Sequence, residues 1–200
     1  MFAQSLGMAV WLATSSSVAA ASGVETADTI EILSLLIAER LSANGEAPDG
    51  SYLVVAAETL AVCPPDTEDP DERSFSIAGM IQESGTLSEV PDSLRRELVC
   101  QQEGGMLPTA RFESAEVVSA SQIAAIFTGD GWWEDFYRTF PDSRGYVAFT
   151  APAFSPDRAH ALVYVSHSCG GLCGTGWLVH LSRASDGHWR IASQRMLWIS

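Results

Sequence analysis

From Gly145 to the end of the chain, apolar residues recur at every second position in four runs, over 146–150, 159–167, 176–183 and 188–198. Side chains of a strand alternate between its two faces, so this period predicts strands laid on a core. In the second run Ala161, Val163 and Val165 alternate with Leu162, Tyr164 and Ser166. Both faces are apolar at several points, which predicts helices on one face and at least partial cover on the other. Asp186-Gly187 marks a tight hairpin, and the glycine-dense stretch from Ser168 to Gly176 joins the second run to the third. Short consecutive connections make the expected sheet an antiparallel β-meander of about four strands.

Helical spacing belongs to the first two thirds. Ile30, Leu33, Ile37 and Leu41 share one face behind an Asp28/Glu31 capping box, with Asn44-Gly45 as the stop. Ile32, Leu35 and Leu36 widen that face enough to pack on a sheet. Residues 51–62 read as a strand or strand pair ended by Cys63-Pro64-Pro65. Residues 91–102 predict a helix with Leu94 and Leu98 on one side, and 110–118 a strand. Ser119 and Gln122 form a second capping box, opening a short helix through Phe127. Asp130 is placed to cap a further helix over 131–140, closed by the Pro141–Gly145 turn. Helices first and a meander later predict an α+β domain. The acidic stretch 66–73 reads as a solvated loop; calcium ligation of the helix–loop–helix kind would need regular spacing and a central Gly where Pro70 stands.

The chain has 200 residues, 46% of them hydrophobic, enough for one core. Leu6 to Leu12 is a short apolar run and Ser17 to Ala21 a small-residue cleavage site, so residues 1–21 predict a secretory signal peptide ahead of one domain over 22–200. No Lys or Arg precedes the apolar run, unlike the usual leader. No segment reaches membrane-spanning length. The net charge of −14 is concentrated in residues 1–103, with 17 acids against four Arg. Such a chain repels nucleic acid and anionic lipid, which leaves a ligand or a protein as the expected partner.

Four cysteines suit an oxidising compartment. The favoured pairing is Cys169 with Cys173 across the glycine loop and Cys63 with Cys100. His167, Cys169, Cys173 and His180 form the only metal-like cluster, but their spacing matches no strong ligand pattern, and no metal or other cofactor is expected. A redox pair of the thioredoxin kind has two intervening residues at a helix start, whereas this loop has three. The glycines GGLCGTG precede a strand rather than a helix, so a phosphate cradle is excluded and their role is turn geometry.

No nucleophile, zinc-hydrolase or nucleotide-loop motif is present, and no catalytic residue is assigned. Trp132, Trp133, Phe136, Tyr137 and Phe140 crowd one side of 131–140, where such a stripe serves first as core anchoring. The candidate contact surface is the Cys-Gly loop with Tyr164 and Trp177, or a pocket near Trp132, Trp133 and Tyr137. The expected role is therefore non-catalytic binding of a ligand or protein. Two alternatives remain: a small α+β enzyme with a buried Asp or His as general base, and a metal or thiol-redox site at the Cys-Gly loop.

Residues 132–200 carry a Trp and then Phe-Tyr ahead of Pro-x-Ser-x-Gly, the ALVYV strand, the Cys-Gly turn, and Trp189 followed by a terminal Trp-x-Ser. In these elements, and in their order, the chain resembles an uncharacterised family of exported bacterial proteins. The resemblance implies export and a helix-plus-meander domain, with a curved cystatin-like or NTF2-like sheet around a helix as the nearest fold analogy. It brings no activity and no catalytic residue.

Overall fold

The computed structural model describes residues 15–43, 48–63, 76–83, 90–99 and 105–200. Cys100, the acidic loop 66–73 and the Asn44-Gly45 stop lie outside the described residues. The elements in order are α1 (Ser15–Ser42), β1 (Tyr52–Ala56), α2 (Ile77–Glu83), α3 (Asp92–Val99), β2 (Ala115–Val118), α4 (Ala120–Ile126), α5 (Trp132–Thr139), β3 (Ser143–Phe149), β4 (Ala153–Phe154), β5 (His160–Gly170), β6 (Cys173–Arg183) and β7 (Trp189–Ile199). This is an α+β fold.

The seven strands form one sheet in the order β2-β1-β3-β5-β6-β7, with β4 pairing beside β5. The expected meander is β3-β5-β6-β7, antiparallel throughout. The upstream strands depart from it, because β1 pairs parallel with both β2 and β3. A parallel neighbour requires a long connection. The helices between these strands supply it, which is why short-connection logic could not place them.

Side-chain alternation sorts the core into two layers. On one face Val163, Val165, Val179, Leu181, Val147 and Phe149 pack under Ile32, Leu33, Leu36 and Ile37 of α1. On the other, Leu162, Tyr164 and Leu178 meet α2 and α3, while Val54, Ala148 and Phe136 join α4 and α5. The four α1 side chains are almost fully buried, each contributing about 1.5–3 kcal/mol relative to exposure. A single helix under a curved sheet describes only the α1 face; the four short helices make the other face a covered layer too.

The Ser119–Gln122 capping box is present as expected, with each side chain bonded to the other's backbone N–H. Two other caps are corrected. Gly131 occupies the N-cap of α5 without a side-chain bond, so Asp130 does not cap it. Asp28 and Glu31 do not start a helix, because α1 runs upstream to Ser15. Both carboxylates instead reach across to the sheet. Asp28 accepts from Arg158 Nε at 3.1 Å and Nη2 at 2.8 Å, and pairs with Arg183 Nη2 at 2.5 Å. Glu31 accepts from His188 Nδ1 and the Trp189 backbone N–H, both at 3.0 Å.

The two guanidiniums lie over aromatic faces, Arg158 4.1 Å from the Phe154 centroid and Arg183 4.6 Å from that of Trp189. Arg158 holds a left-handed φ of 54°, a strain of about 1 kcal/mol that its ion pair offsets. Burial alone would raise the Asp28 pKa, but the hydrogen bonds and charge of Arg158 and Arg183 outweigh it and hold the carboxyl below its ordinary value.

A depressed folded-state pKa stabilises the fold above the unfolded value and loses that contribution as pH falls through the folded one. Asp28→Asn should therefore cost about 2 kcal/mol near pH 7 and flatten the acid limb below about pH 4, read by urea denaturation across pH. An acid limb as steep as the wild type's would show that Asp28 is not its source.

Candidate functional site

The hairpin between β5 and β6 closes through Gly170 opposite Cys173, with Gly171 and Leu172 at the turn. Cys169 and Cys173 are joined there by a disulfide, their Cα atoms 5.0 Å apart. The neighbouring strand anchors this tip. Gly145 sits on β3 at φ +94°, and an added Cβ would run into the Ser168 carbonyl oxygen and lie 2.9 Å from Cys169 Cα. Only glycine lets β3 approach β5 this closely. On the α5 side the Tyr137 hydroxyl donates to the Cys169 carbonyl at 2.8 Å.

The loop glycines are not all turn residues, which corrects the sequence reading. Gly174 and Gly176 lie within β6, and a Cβ on Gly176 would overlap the Trp198 indole. The space they leave lets Trp198 lie across β6 and donate its Nε1–H to the Tyr164 hydroxyl at 2.8 Å.

The disulfide separates two shallow concavities. One, about 170 Å³, is lined by His167, both cysteines, Leu172, Thr175 and Ile199 among others. The second, about 350 Å³, is lined by Tyr137, Arg144 and the same cysteines. His167 is 4% exposed, and its Nε2 lies 2.8 Å from the Arg144 carbonyl oxygen. A carbonyl can only accept, so Nε2 carries the proton and Nδ1 the lone pair. Burial lowers the His167 pKa; the Arg144 carbonyl bond opposes this and the Arg40 and Arg144 charges add to it. The imidazole is therefore neutral at pH 7.

The proposed cluster of His167, Cys169, Cys173 and His180 is only partly assembled. His167 and Cys169 are two apart on β5, and His167 pairs in register with Thr175, two beyond Cys173. His180 pairs with Leu162 and belongs to the other face of the sheet. There its Nε2 lies 3.1 Å from His160 Nδ1, and Ser193 Oγ lies 3.5 Å from its Nδ1. Sequence reading missed this three-strand contact, because only the β5–β6–β7 register brings those positions together. Among the described residues, no three His, Cys, Asp or Glu side chains gather closely enough to hold a metal.

The five aromatic candidates do not form one surface. Trp133 stacks on Tyr146 and Phe127 contacts its edge, within a cluster centred on buried Phe136. Tyr137 adjoins that cluster and alone reaches the disulfide hairpin. Tyr164 is fully buried and cannot serve as a contact residue in this fold. Trp177 lies on the α1 face with the Arg40 guanidinium 4.6 Å above its ring. Trp132 is 62% exposed at the first position of α5 with φ +43°. The pairing of Cys63 with Cys100 lies outside the described residues. Two larger concavities, about 440 and 390 Å³, run along α1 and are lined without histidine or cysteine.

No helix among the described residues is long and apolar enough to cross a membrane. Comparison with protein-family models, with curated proteins and with solved structures finds no match to this chain.

The anchoring of the tip is testable through two glycines. Gly145→Ala should cost about 2 kcal/mol or more in urea denaturation, since it adds a strained φ to a backbone overlap. Gly171→Ala, whose Cβ would meet open space, should stay within about 0.5 kcal/mol of wild type. Equal costs at the two positions would contradict the close β3–β5 approach.

Proposed function

We propose that this is an exported bacterial binding domain that engages a protein partner through its disulfide-closed hairpin, and that it belongs to the family it resembles over residues 132–200. The observation that carries the reading is Leu172, 91% exposed at the apex of a hairpin held by a covalent bond and a tyrosine anchor. A large apolar side chain on a rigid tip gives up little conformational entropy when it enters a partner's pocket. Ile199, 69% exposed, lines the same concavity as Leu172 and extends the apolar surface. Arg144, lining the opposite concavity, supplies a cation in an otherwise acidic chain and favours a carboxylate on the partner.

The small-residue site before Ala21, together with the disulfide, supports export. Cleavage near Ala21 would leave intact the α1 residues Asp28, Glu31 and Arg40, which bond to the sheet side of the molecule.

Two measurements test the proposal. Protein recovered from the producing bacterium's extracytoplasmic fraction should begin near Ala21 or Ser22 by intact mass; an unprocessed cytosolic chain would overturn export. A photo-cross-linking residue in place of Leu172 should give a discrete adduct in those cells, and the same probe in place of exposed Ala192 should give none. No adduct at Leu172, or the same adducts at both positions, would overturn the contact surface.

A further inference from the structure

We infer that the Cys169–Cys173 disulfide is a thiol–disulfide exchange site, at which His167 moves the proton and a dithiol is the substrate. This goes beyond the binding role, and its chemistry is measurable without any partner.

The groups required for exchange are arranged around one bond. Cys173 is an exposed residue and Cys169 a half-buried one, so Cys173 is the end of the bond that an incoming thiol reaches more readily. His167 shares the smaller concavity with both cysteines, two residues along β5 from Cys169 and across from Thr175. Its Nε2 is committed to the Arg144 carbonyl, and among the described residues no hydrogen-bond partner engages Nδ1. A neutral imidazole with a lone pair beside a disulfide is a base in place. Arg144 lines the concavity on the other side of the same bond, and its positive charge favours a departing thiolate. Cys169 Sγ lies 3.1 Å from the Cys173 carbonyl oxygen, a distance at which a released thiol can donate to it.

The step balances as follows. The substrate thiol gives its proton to His167 Nδ1, and its sulfur forms a bond to Cys173 Sγ. The Cys169–Cys173 bond breaks, and Cys169 leaves with the electron pair and takes the proton back from Nδ1. The second thiol of the substrate then attacks the substrate sulfur in the mixed disulfide and releases Cys173 as a thiol. Two electrons pass from the dithiol to the protein, and the substrate ends as a disulfide.

The charged groups acting on His167 are Arg40 from α1 and Arg144 from β3, while the Tyr137 phenol of α5 lies on the other side of the disulfide, against the Cys169 carbonyl. Burial raises the pKa of that phenol, so it stays neutral through the working range. Below its own pKa a thiol attacking unaided slows about tenfold per pH unit, as its thiolate fraction falls. Attack assisted by a neutral base is instead level between the pKa of the base and that of the thiol.

The experiment follows reduction of the oxidised full chain by dithiothreitol from pH 6 to 8.5, with acid quench, alkylation and mass mapping of the fragment holding Cys169 and Cys173. An oxidised peptide of residues 166–176 is the reference. The expected result is a rate at pH 6 about 10-fold or more above the peptide's, with a rise toward pH 8 clearly shallower than the peptide's. His167→Gln, whose amide can still donate to the Arg144 carbonyl, should restore the steep profile and lose about 10-fold at pH 6. A wild-type profile as steep as the peptide's, or no faster at pH 6, would overturn the inference even if the variant fails to fold. A folded His167→Gln variant with wild-type rates would overturn the role of His167. Cross-linking at Leu172 is untouched by either outcome, so the two readings fail separately.

Discussion

Strands β5 and β6 are apolar on both faces, and the rest of the molecule is arranged to keep both faces from water. Among the described residues, one helix with four almost fully buried aliphatic side chains covers one side, and four short helices cover the other. Short helices are marginal alone, and these hold because each lays one to three buried residues on a preformed sheet. The parallel β2-β1-β3 trio follows from the same requirement. Its long connections carry the covering helices, whereas hairpins would have left that face bare.

Apolar burial does not fix where α1 lies along the sheet. The Asp28–Arg158–Arg183 cluster and the Glu31 bonds to the β6–β7 hairpin do so at one end. Arg40 does so at the other, bonded to Gln194 and stacked on Trp177. Charge-assisted bonds are directional where hydrophobic contact is not, so these pairs set register. The position of Arg40 in turn places a cation near His167, which connects helix docking to the electrostatics of the disulfide tip.

The tip is rigid for reasons spread over four elements. Gly145 lets β3 come close, Tyr137 holds the Cys169 carbonyl, Arg144 orients His167 through its own carbonyl, and the glycines of β6 admit Trp198. A hairpin held in this way can present Leu172 outward while keeping a neutral imidazole beside the sulfur bond. The contact and the exchange step proposed above would both rely on these anchors.

The sequence by itself determined the strand periods, the first helix, the Ser119–Gln122 cap, the α+β class and the Cys169–Cys173 pairing. All of these arise from neighbours along the chain, where period and local hydrogen bonding act directly. It misread Asp28 and Glu31 as caps, because a carboxylate three residues before another looks the same whether it serves its own helix or a distant guanidinium. It placed Tyr164 on a surface, because alternation tells which residues share a face but not which face is covered, and it grouped His180 with the cysteines by nearness in sequence although an odd spacing of seven from Cys173 puts the two on opposite faces. Only the tertiary structure decided the parallel pairing of β1, the burial of His167 against the Arg144 carbonyl beside the disulfide, and the close approach at Gly145. Each of those depends on strands brought together across long connections, and no spacing within a single segment encodes that distance.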